Sequence, residues 1–597
     1  MHPFEQAKNL FLAGLERFQA GDLLQAEARF RQSLALVPDR VSIMTNLAAT
    51  LIRLRQLDEA RALSVRALDL DPGCAESWVN LGQIDLAQCR FAEALADFDQ
   101  ALGISPKYVE AWLNKGVALN RLKRLDEALA CHEQLLRAHA NYAEAWSNRG
   151  NTLHELKRDS EALACYQRAL ALKPDLVEAW SSQGVALNTL KRHEEALVCH
   201  DRALALDRGY DLAWGNKGVT LHDLQRDQEA LQCYETALRL NRNNYQAWSD
   251  QGVVLYELGR YDEALACYAH ALEICADDAN ARWNQALVHL LRGEFRSGWR
   301  LYEARRQTGT HDIPQYPGIA PLLDLAQCAG RQILVVAEQG LGDVIQFSRY
   351  LPLLAARGAR VSLAAPAALQ TLLGAMPCCA LLPPGAPPSG MDFQVPLLSL
   401  PCLFATDETS IPPPNPWLKP SLAQSERWRA WLPPARAGLK IGLVCSGNPQ
   451  HQNDHKRSMA LAWFAPLLPL GQWLVLQPQL RPDDQDFARE HPQICCPGAQ
   501  LQDFSDTAAL IEQLDLVISV DTSVAHLAGS LGKPVYLLLP WAPEWRWQLA
   551  RQDSPWYPSA RLLRQPAPGD WGGVLRELAA ALAEHAGTSG AAAAEPG

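Results

Sequence analysis

The sequence has no clustered excess of Lys and Arg: 55 basic side chains stand against 66 Asp and Glu, for a formal charge of −11. A nucleic-acid binder needs a concentrated basic surface to neutralise phosphates, so that class of partner is set aside. Long apolar runs are also missing. The longest uncharged stretch, Val361 to Met391, is broken by Pro366, Gln370, Pro377, Pro383 and Pro384. A spanning helix needs about 20 continuous apolar residues, so a buried strand–helix–strand is the better account and no transmembrane segment is expected. The opening MHPFEQAKNLFLAGLERFQAGD carries charges throughout and lacks the basic-then-apolar order of a secretory signal. Without such a signal, 15 cysteines read as reduced thiols in the cytoplasm. The adjacent pairs Cys378–Cys379 and Cys495–Cys496 lack zinc-site spacing and read as small buried residues.

What is present is an ordinary globular balance, 48% apolar and 20% charged, on 597 residues, too many for one core. The strongest signal is repetition. Trp78, Trp112, Trp146, Trp180, Trp214 and Trp248 stand 34 residues apart, with Gly82, Gly116, Gly150, Gly184, Gly218 and Gly252 each four residues later. Ala94, Ala128, Ala162, Ala196, Ala230 and Ala264 make a third column. Phe98, Tyr166, Tyr234 and Tyr268 make a fourth, with His132 and His200 substituting. Four columns in one phase predict paired helices with small residues where they cross, the tetratricopeptide pattern. Backward extension puts Leu10 and Met44 at the Trp position; forward extension ends near Arg305 in a unit that reads as a cap or an adaptor to the next domain. The expected fold of residues 1–306 is an α-solenoid with a concave groove, a binding surface rather than a catalyst.

Two further columns share the period. Cys131, Cys165, Cys199, Cys233 and Cys267 would lie about one helix-packing distance apart, about 8–10 Å, too far to share a metal. They read as core. Asn46, Asn80, Asn114, Asn148 and Asn216, with Ser182 and Asp250 in the gaps, fall two residues after the Trp position on the first helix. Here the array resembles the repeat domain of O-linked N-acetylglucosamine transferases, whose groove holds acceptor protein backbones on an asparagine ladder. The resemblance implies a protein or peptide partner in the groove. An amide can serve both the N–H and C=O of a peptide, and the plainer alternative is a solvated helix face.

After Gln307 the period is lost, and residues 307–330 read as a linker. Residues 331–435 then read as one α/β half: a strand at Ile333–Ala337, a glycine turn at Glu338–Gly342, a helix opened by Asp343 and ending near Gly358, and a strand at Val361–Ala364. Only Gly340 and Gly342 are present, so this is not the dinucleotide fingerprint. Past a proline-rich stretch, residues 436–586 read as a second half. It has strands at Leu439–Cys445, Leu516–Val520 and Val535–Leu539, a polar loop at Ser446–Ser458, a helix start at Asp521 and a closing helix near Val574–Glu584. Residues 587–597 read as a disordered tail. The whole is expected to be a solenoid followed by a GT-B fold, two Rossmann-like halves facing a cleft.

The GLGD turn (Gly340–Asp343) and DTSVAHLAGSLGKP from Asp521 are similar to the two signature loops of lipopolysaccharide heptosyltransferases. The resemblance covers the last 260 or so residues of the chain. It implies Asp343 as general base, Lys456 or Arg457 on the donor diphosphate, and Asp521, Thr522, Ser523 and His526 on the sugar nucleotide, with Gly340, Gly342 and Ser446 framing the donor. Ser523 departs from the family's usual Gly, and the abbreviated first half leaves the acceptor side short. The chemistry stands beside the resemblance: inverting transfer needs a carboxylate base and cations or helix N-terminal amides for a leaving diphosphate. No cluster has Asp/His metal-ligand spacing, so a metal-independent reaction without a cofactor other than the nucleotide-sugar substrate is expected.

Each residue has a plainer role. Asp343 and Asp521 could be helix N-caps, His526 a satisfied buried histidine, Lys456 and Arg457 solvated. Trp541, Trp545, Arg546, Trp547 and Trp556 could stack on a ligand or pack in a core. The leading expectation is a glycosyltransferase acting on a protein; a saccharide acceptor, or a scaffold with a degenerate transferase fold, are the alternatives.

Overall fold

The computed structural model describes residues 3–309, 313–383, 385–412, 417–434, 438–450 and 454–592, the last six as backbone only. The chain forms two compact units, Met1–Asp250 and Gln251–Gly597.

In the first unit helices alternate from Pro3–Gln19 to Asp227–Leu240, and Tyr245–Glu257 runs across the division. The sequence columns explain the pairing. A methyl group built on Gly82, Gly116, Gly150, Gly184 or Gly218 would fall within 3.0 Å of the ring of Phe98, His132, Tyr166, His200 or Tyr234. The ring of the second helix thus occupies the space a side chain would need on the first. Each Trp fastens the turn between repeats: its indole N–H donates to the carbonyl six residues earlier, at 2.9 Å for Trp112 to Pro106, Trp146 to Ala140 and Trp180 to Pro174. The turn inside each repeat reverses through one left-handed residue, with φ between 58° and 63° at Arg55, Cys89, Lys123, Lys157, Lys191 and Gln225. Cys131, Cys165, Cys199 and Cys233 are buried, and desolvation pushes the Cys131 thiol up to about 12, so these thiols act as small apolar groups.

The second unit begins with repeat helices. Tyr261–Ile274, Ala279–Leu291 and Phe295–Tyr302 continue the pattern, with Gly252 against the Tyr268 ring. The division expected near residue 306 therefore differs from the compact units. The physical reason is Trp299, 1% exposed, whose ring meets Phe347 at 6.0 Å, Trp545 at 5.3 Å and Trp556 at 6.3 Å. Arg305 is wholly buried, its Nε and Nη2 donating to the Glu338 carboxylate at 2.9 and 2.7 Å. Helices and sheet share one core here.

Two parallel sheets follow. The first contains β1 (Ala320–Pro321), β2 (Gln332–Val336), β3 (Arg360–Ala364), β4 (Cys379–Leu381) and β5 (Phe393–Pro396), in the order β1-β5-β2-β3-β4. The second contains β6 (Leu439–Val444), β7 (Gly471–Val475), β8 (Ile494–Cys495), β9 (Leu516–Val520), β10 (Val535–Leu539) and β11 (Ala560–Arg564), in the order β11-β10-β9-β6-β7-β8. Val335 is in register with Leu363 on one side and Val395 on the other, and Leu443 with Val475 and Ile518. In both sheets the strand order reverses beside the first long strand (β2 and β6), and such switch points are where doubly wound sheets open a crevice.

Several expectations need correction. β1 lies inside the segment read as a linker and pairs with β5. The helix after β2 starts at Leu341, with Gly340 as its cap, so Asp343 is not the capping residue. It also breaks into Leu341–Phe347, a 3₁₀ turn at Ser348–Tyr350, and Leu351–Ala356, because Pro352 cannot supply an amide to a continuous ladder. After β9 the cap is Thr522, not Asp521, and the helix runs Ser523–Ser530. The closing helix, Trp571–Ala592, continues into the segment expected to be disordered; residues 593–597 lie outside the described residues. Among the described residues no helix is long and apolar enough to cross a membrane.

Candidate functional site

The carboxyl ends of β2, β6 and β9 open on one cleft of about 1,330 Å³. Gly340, Gly342, Asp343, Ser446, Lys456, Arg457, Asp521, Thr522, Ser523 and His526 all line it.

Gly342 lies where the two halves pack closely. A Cβ there would stand 2.8 Å from His526 Cδ2 and 3.3 Å from Ser523 Cα, so a side chain would push the Ser523–Ser530 helix away. Asp343 uses one oxygen to accept the Gly340 N–H at 2.9 Å and the other to pair with Arg546. Arg546 is the hub. Its side chain is 8% exposed, it pairs with Glu544 as well, donates to Gln346 Oε1 at 2.5 Å and rests 4.2 Å over the Trp545 ring. Burial pushes the Glu544 carboxyl up to about 8, against the pull of Arg546. A base at Asp343 would first have to leave this guanidinium.

The loop after β6 is organised by side chains. Gln477 donates to Ser446 Oγ at 2.8 Å, Ser458 Oγ accepts the Gly447 N–H at 3.0 Å, and Arg457 Nη1 donates to the Asp521 carbonyl at 2.8 Å. Lys456 Nζ pairs with Glu257 Oε2 at 2.6 Å. Residues 451–453 of this loop lie outside the described residues. Across from it, burial raises the Asp521 carboxyl above its ordinary range, with Arg457 opposing. His526 is buried, donates to or accepts from Tyr557 OH at 3.0 Å through Nδ1 and stacks on Trp547 at 5.3 Å. Burial holds its imidazole far below the usual value, so it is neutral and can meet a ligand only as a hydrogen-bonding group.

The cleft also has walls that sequence reasoning missed. Tyr256, Glu257, Trp283 and Asn284 from repeat helices face it, as does Glu544, while Arg546, already named with the tryptophan cluster, faces it too. The WRW run at residues 545–547 was a visible signal for Arg546. Glu257 had none, because its column (Ala87, Arg121, Glu155, Thr189, Asp223) varies freely. Of the tryptophans, Trp545, Trp547 and Trp556 are buried packing residues, and Trp541 is 46% exposed.

Models of the tetratricopeptide repeat match residues 17–81, 85–149, 143–176, 160–211, 212–244 and 233–266, and a TPR repeat model matches 252–293. The N-terminal helices are tetratricopeptide repeats. Protein FlbA of Caulobacter vibrioides is 27% identical over 338 residues, 52% of this chain and 56% of that protein. Tetratricopeptide repeat protein 36 of Homo sapiens is 38% identical over 100 residues, 16% of this chain and 52% of that one. The chain thus spans about half the length of the curated relatives it matches. Among solved structures, the APC/C hetero-tetramer Cut9–Hcn1 aligns with a TM-score of 0.40 at 17% identity, over 47% of this chain and 54% of that chain. A tetratricopeptide repeat protein from Parabacteroides merdae aligns with a TM-score of 0.36 at 14% identity, over 42% and 99%.

Within the tetratricopeptide array the asparagine column is less uniform than its spacing. Asn80 is 6% exposed and donates to the Thr45 carbonyl at 3.0 Å, so it braces neighbouring repeats and does not present its amide to a groove. Asn216 donates to Ser181 Oγ at 3.0 Å, another brace. Asn46 and Asn114 donate to carbonyls one turn back on their own helices, at 2.8 and 2.9 Å. Asn148 is half-buried.

Proposed function

We propose that the second unit is a glycosyltransferase of the GT-B kind, moving a sugar from a nucleotide-diphosphate donor to an acceptor, a protein brought by the tetratricopeptide array, with inversion at the sugar. One observation carries the reading. The loops at the switch points of two parallel sheets converge on a single cleft that brings Lys456 and Arg457 together with the amino end of the Ser523–Ser530 helix. A diphosphate needs that combination, cations plus outward-pointing backbone N–H groups, and its departure charge is stabilised by them. Arg457 is already oriented by the Asp521 carbonyl, and Lys456 by Glu257. Ser446 and Thr522 supply hydroxyls beside the same anion position. The repeats keep the protein-binding role common to their class, and the reduced cysteines fit a cytoplasmic setting.

Thermal stabilisation of the purified full chain by UDP-, GDP- and ADP-sugars tests the donor. A ligand at 100 Kd raises stability by about 2.7 kcal/mol, which a melting curve resolves. Stabilisation by one nucleotide sugar and its diphosphate, lost on Arg457→Ala, is the expected result; no response to any of them refutes the reading.

A further inference from the structure

We infer that a second pocket, built beside β1 and β5 and sharing no lining residue with the donor cleft, takes a medium-chain fatty carboxylate, its alkyl chain against the apolar walls and its carboxylate on Arg306. The inference stands apart from the glycosyltransferase reading, because it uses none of the residues assigned to the donor.

The pocket has a volume of about 520 Å³, and small-ligand sites run from roughly 300 to 1,000 Å³. Val336 ends β2 and Pro396 ends β5; both line it, with Leu322, Val395 and Leu403. The turn Tyr316–Ile319 forms another side. Its Ile319 N–H donates to the Tyr316 carbonyl at 3.2 Å, and Gly318 takes the left-handed φ of 89° that the bend requires. Gln394 on β5 clamps the turn. Its Nε2 donates to the Tyr316 and Ile319 carbonyls at 2.9 and 2.7 Å, and its Oε1 accepts the Tyr316 N–H at 3.1 Å. Leu323, 71% exposed, extends the apolar surface outward.

The ligand class follows from where the polar groups of the lining are spent. Gln394 is engaged through both donors and its oxygen. Ser399 Oγ donates to Glu303 Oε2 at 2.9 Å and accepts from Arg305 Nη2 at 2.8 Å. Glu303 Oε1 accepts from Arg305 Nη1 at 2.8 Å. Gln315 stands exposed at the rim, and Tyr316 is half-buried. A peptide, a sugar or a nucleotide would bring several hydrogen-bonding groups to walls with few left to offer, and would bury them unpaired. An alkyl chain brings none. Arg306 is the exception in the lining. It is 36% exposed, and its one ion pair among the described residues is to Glu303 Oε2 at 3.9 Å, too long for a hydrogen bond. Glu303 cannot turn to it without giving up Ser399 or Arg305. The guanidinium fork matches a carboxylate in two parallel bonds. Glu303 also sets the charge of the head group: a phosphate monoester carries nearly two negative charges, and the second would be repelled by this neighbouring carboxylate.

Calorimetry on the full chain with decanoate, decanol and decyl phosphate, each kept below the concentration at which it aggregates, tests the inference. Decanoate is expected to saturate one site and to bind at least about tenfold more tightly than decanol, the margin of a charge-assisted pair, with decyl phosphate weaker than decanoate. Arg306→Gln, at an exposed position that leaves the fold intact, is expected to erase the margin between decanoate and decanol while decanol binds as before. Leu403→Glu, which sets a carboxylate in the apolar wall, is expected to abolish decanoate binding, and circular dichroism checks that this variant is folded. Absence of saturable decanoate binding, equal affinity for decanoate and decanol in the parent, or an unchanged margin in Arg306→Gln overturns the inference. Tighter binding of decyl phosphate overturns the assignment of a carboxylate.

Discussion

Asp343→Asn separates a brace from a base. The Arg546 guanidinium, 8% exposed, is held by Asp343, Glu544 and Gln346. Asparagine keeps the volume but offers one acceptor oxygen, where aspartate now serves both the Gly340 N–H and Arg546. Its amide nitrogen must then face a donor, so one of the two bonds is lost. A hydrogen bond to a charged group is worth about 1.5–3 kcal/mol. The cost stays below the ~3–5 kcal/mol of breaking a buried pair outright, because loss of the Asp343 charge, one of the causes that raise the Glu544 carboxyl, lets Glu544 ionise more readily beside the guanidinium. Global unfolding of a chain in two units is a poor meter for this; local opening is a better one. Hydrogen exchange in peptides covering residues 341–350 and 544–548 is expected to speed up by about tenfold to a hundredfold. Nucleoside diphosphate release is expected to fall by less than about tenfold, short of the 10²–10⁴ that loss of a general base costs. Unchanged protection together with a loss of about 10³ in turnover would falsify the brace and make Asp343 the base.

Two predictions concern the repeats. Gly116→Ala drives a methyl into the His132 ring and is expected to destabilise the array by about 1–3 kcal/mol. Gly103→Ala, with nothing within 4 Å of the added carbon, is expected to gain up to about 1 kcal/mol from helix propensity; melting by far-ultraviolet circular dichroism distinguishes them, and equal effects would refute the crowding argument. His132 and His200 are neutral in the fold because burial lowers them from 6.5 to about 4. The unfolded chain therefore binds the extra protons between about pH 6.5 and 4, and stability falls as pH drops through that window, by up to about 1.4 kcal/mol per unit per site. His132→Phe with His200→Phe, the ring already used at Phe98, should flatten the fall of the urea midpoint between pH 7 and 4.5; an unaltered slope places the acid sensitivity elsewhere.

The repeat register was legible because one geometric demand recurs. A close helix crossing needs a glycine opposite a ring, and the pair Gly82–Phe98 is restated at Gly116–His132, Gly150–Tyr166, Gly184–His200 and Gly218–Tyr234. Buried parallel strands were legible for a similar reason: Leu516–Val520 and Val535–Leu539, apolar on both faces, coincide residue for residue with β9 and β10. Helix starts were less so. Asp343 and Asp521 have the side chain of a cap, yet Gly340 and Thr522 take the position. The sequence shows which residues can cap, and the backbone angle leaving the strand decides which one does. The asparagine column fails differently. Equal spacing guarantees equal positions on successive helices, but the partner of each amide depends on the neighbouring repeat, so Asn80 turns inward to Thr45 while Asn114 bonds its own helix.

What sequence reasoning could least supply is the meeting of elements far apart in the chain. Arg546 and Asp343 are separated by 203 positions, and Lys456 and Glu257 by 199. No local period or motif links either pair. The Arg305–Glu338 pair explains how such contacts become possible: a wholly buried ion pair, its carboxylate also accepting the Leu398 N–H at 3.0 Å, ties the end of the last repeat to the end of β2. That tie brings repeat helices to the rim of the same strand whose turn carries Gly340 and Asp343. The last repeats share one core with the α/β fold, as an adaptor would. They furnish one wall of its cleft, and the carboxylate on that wall faces the cation of the loop after β6.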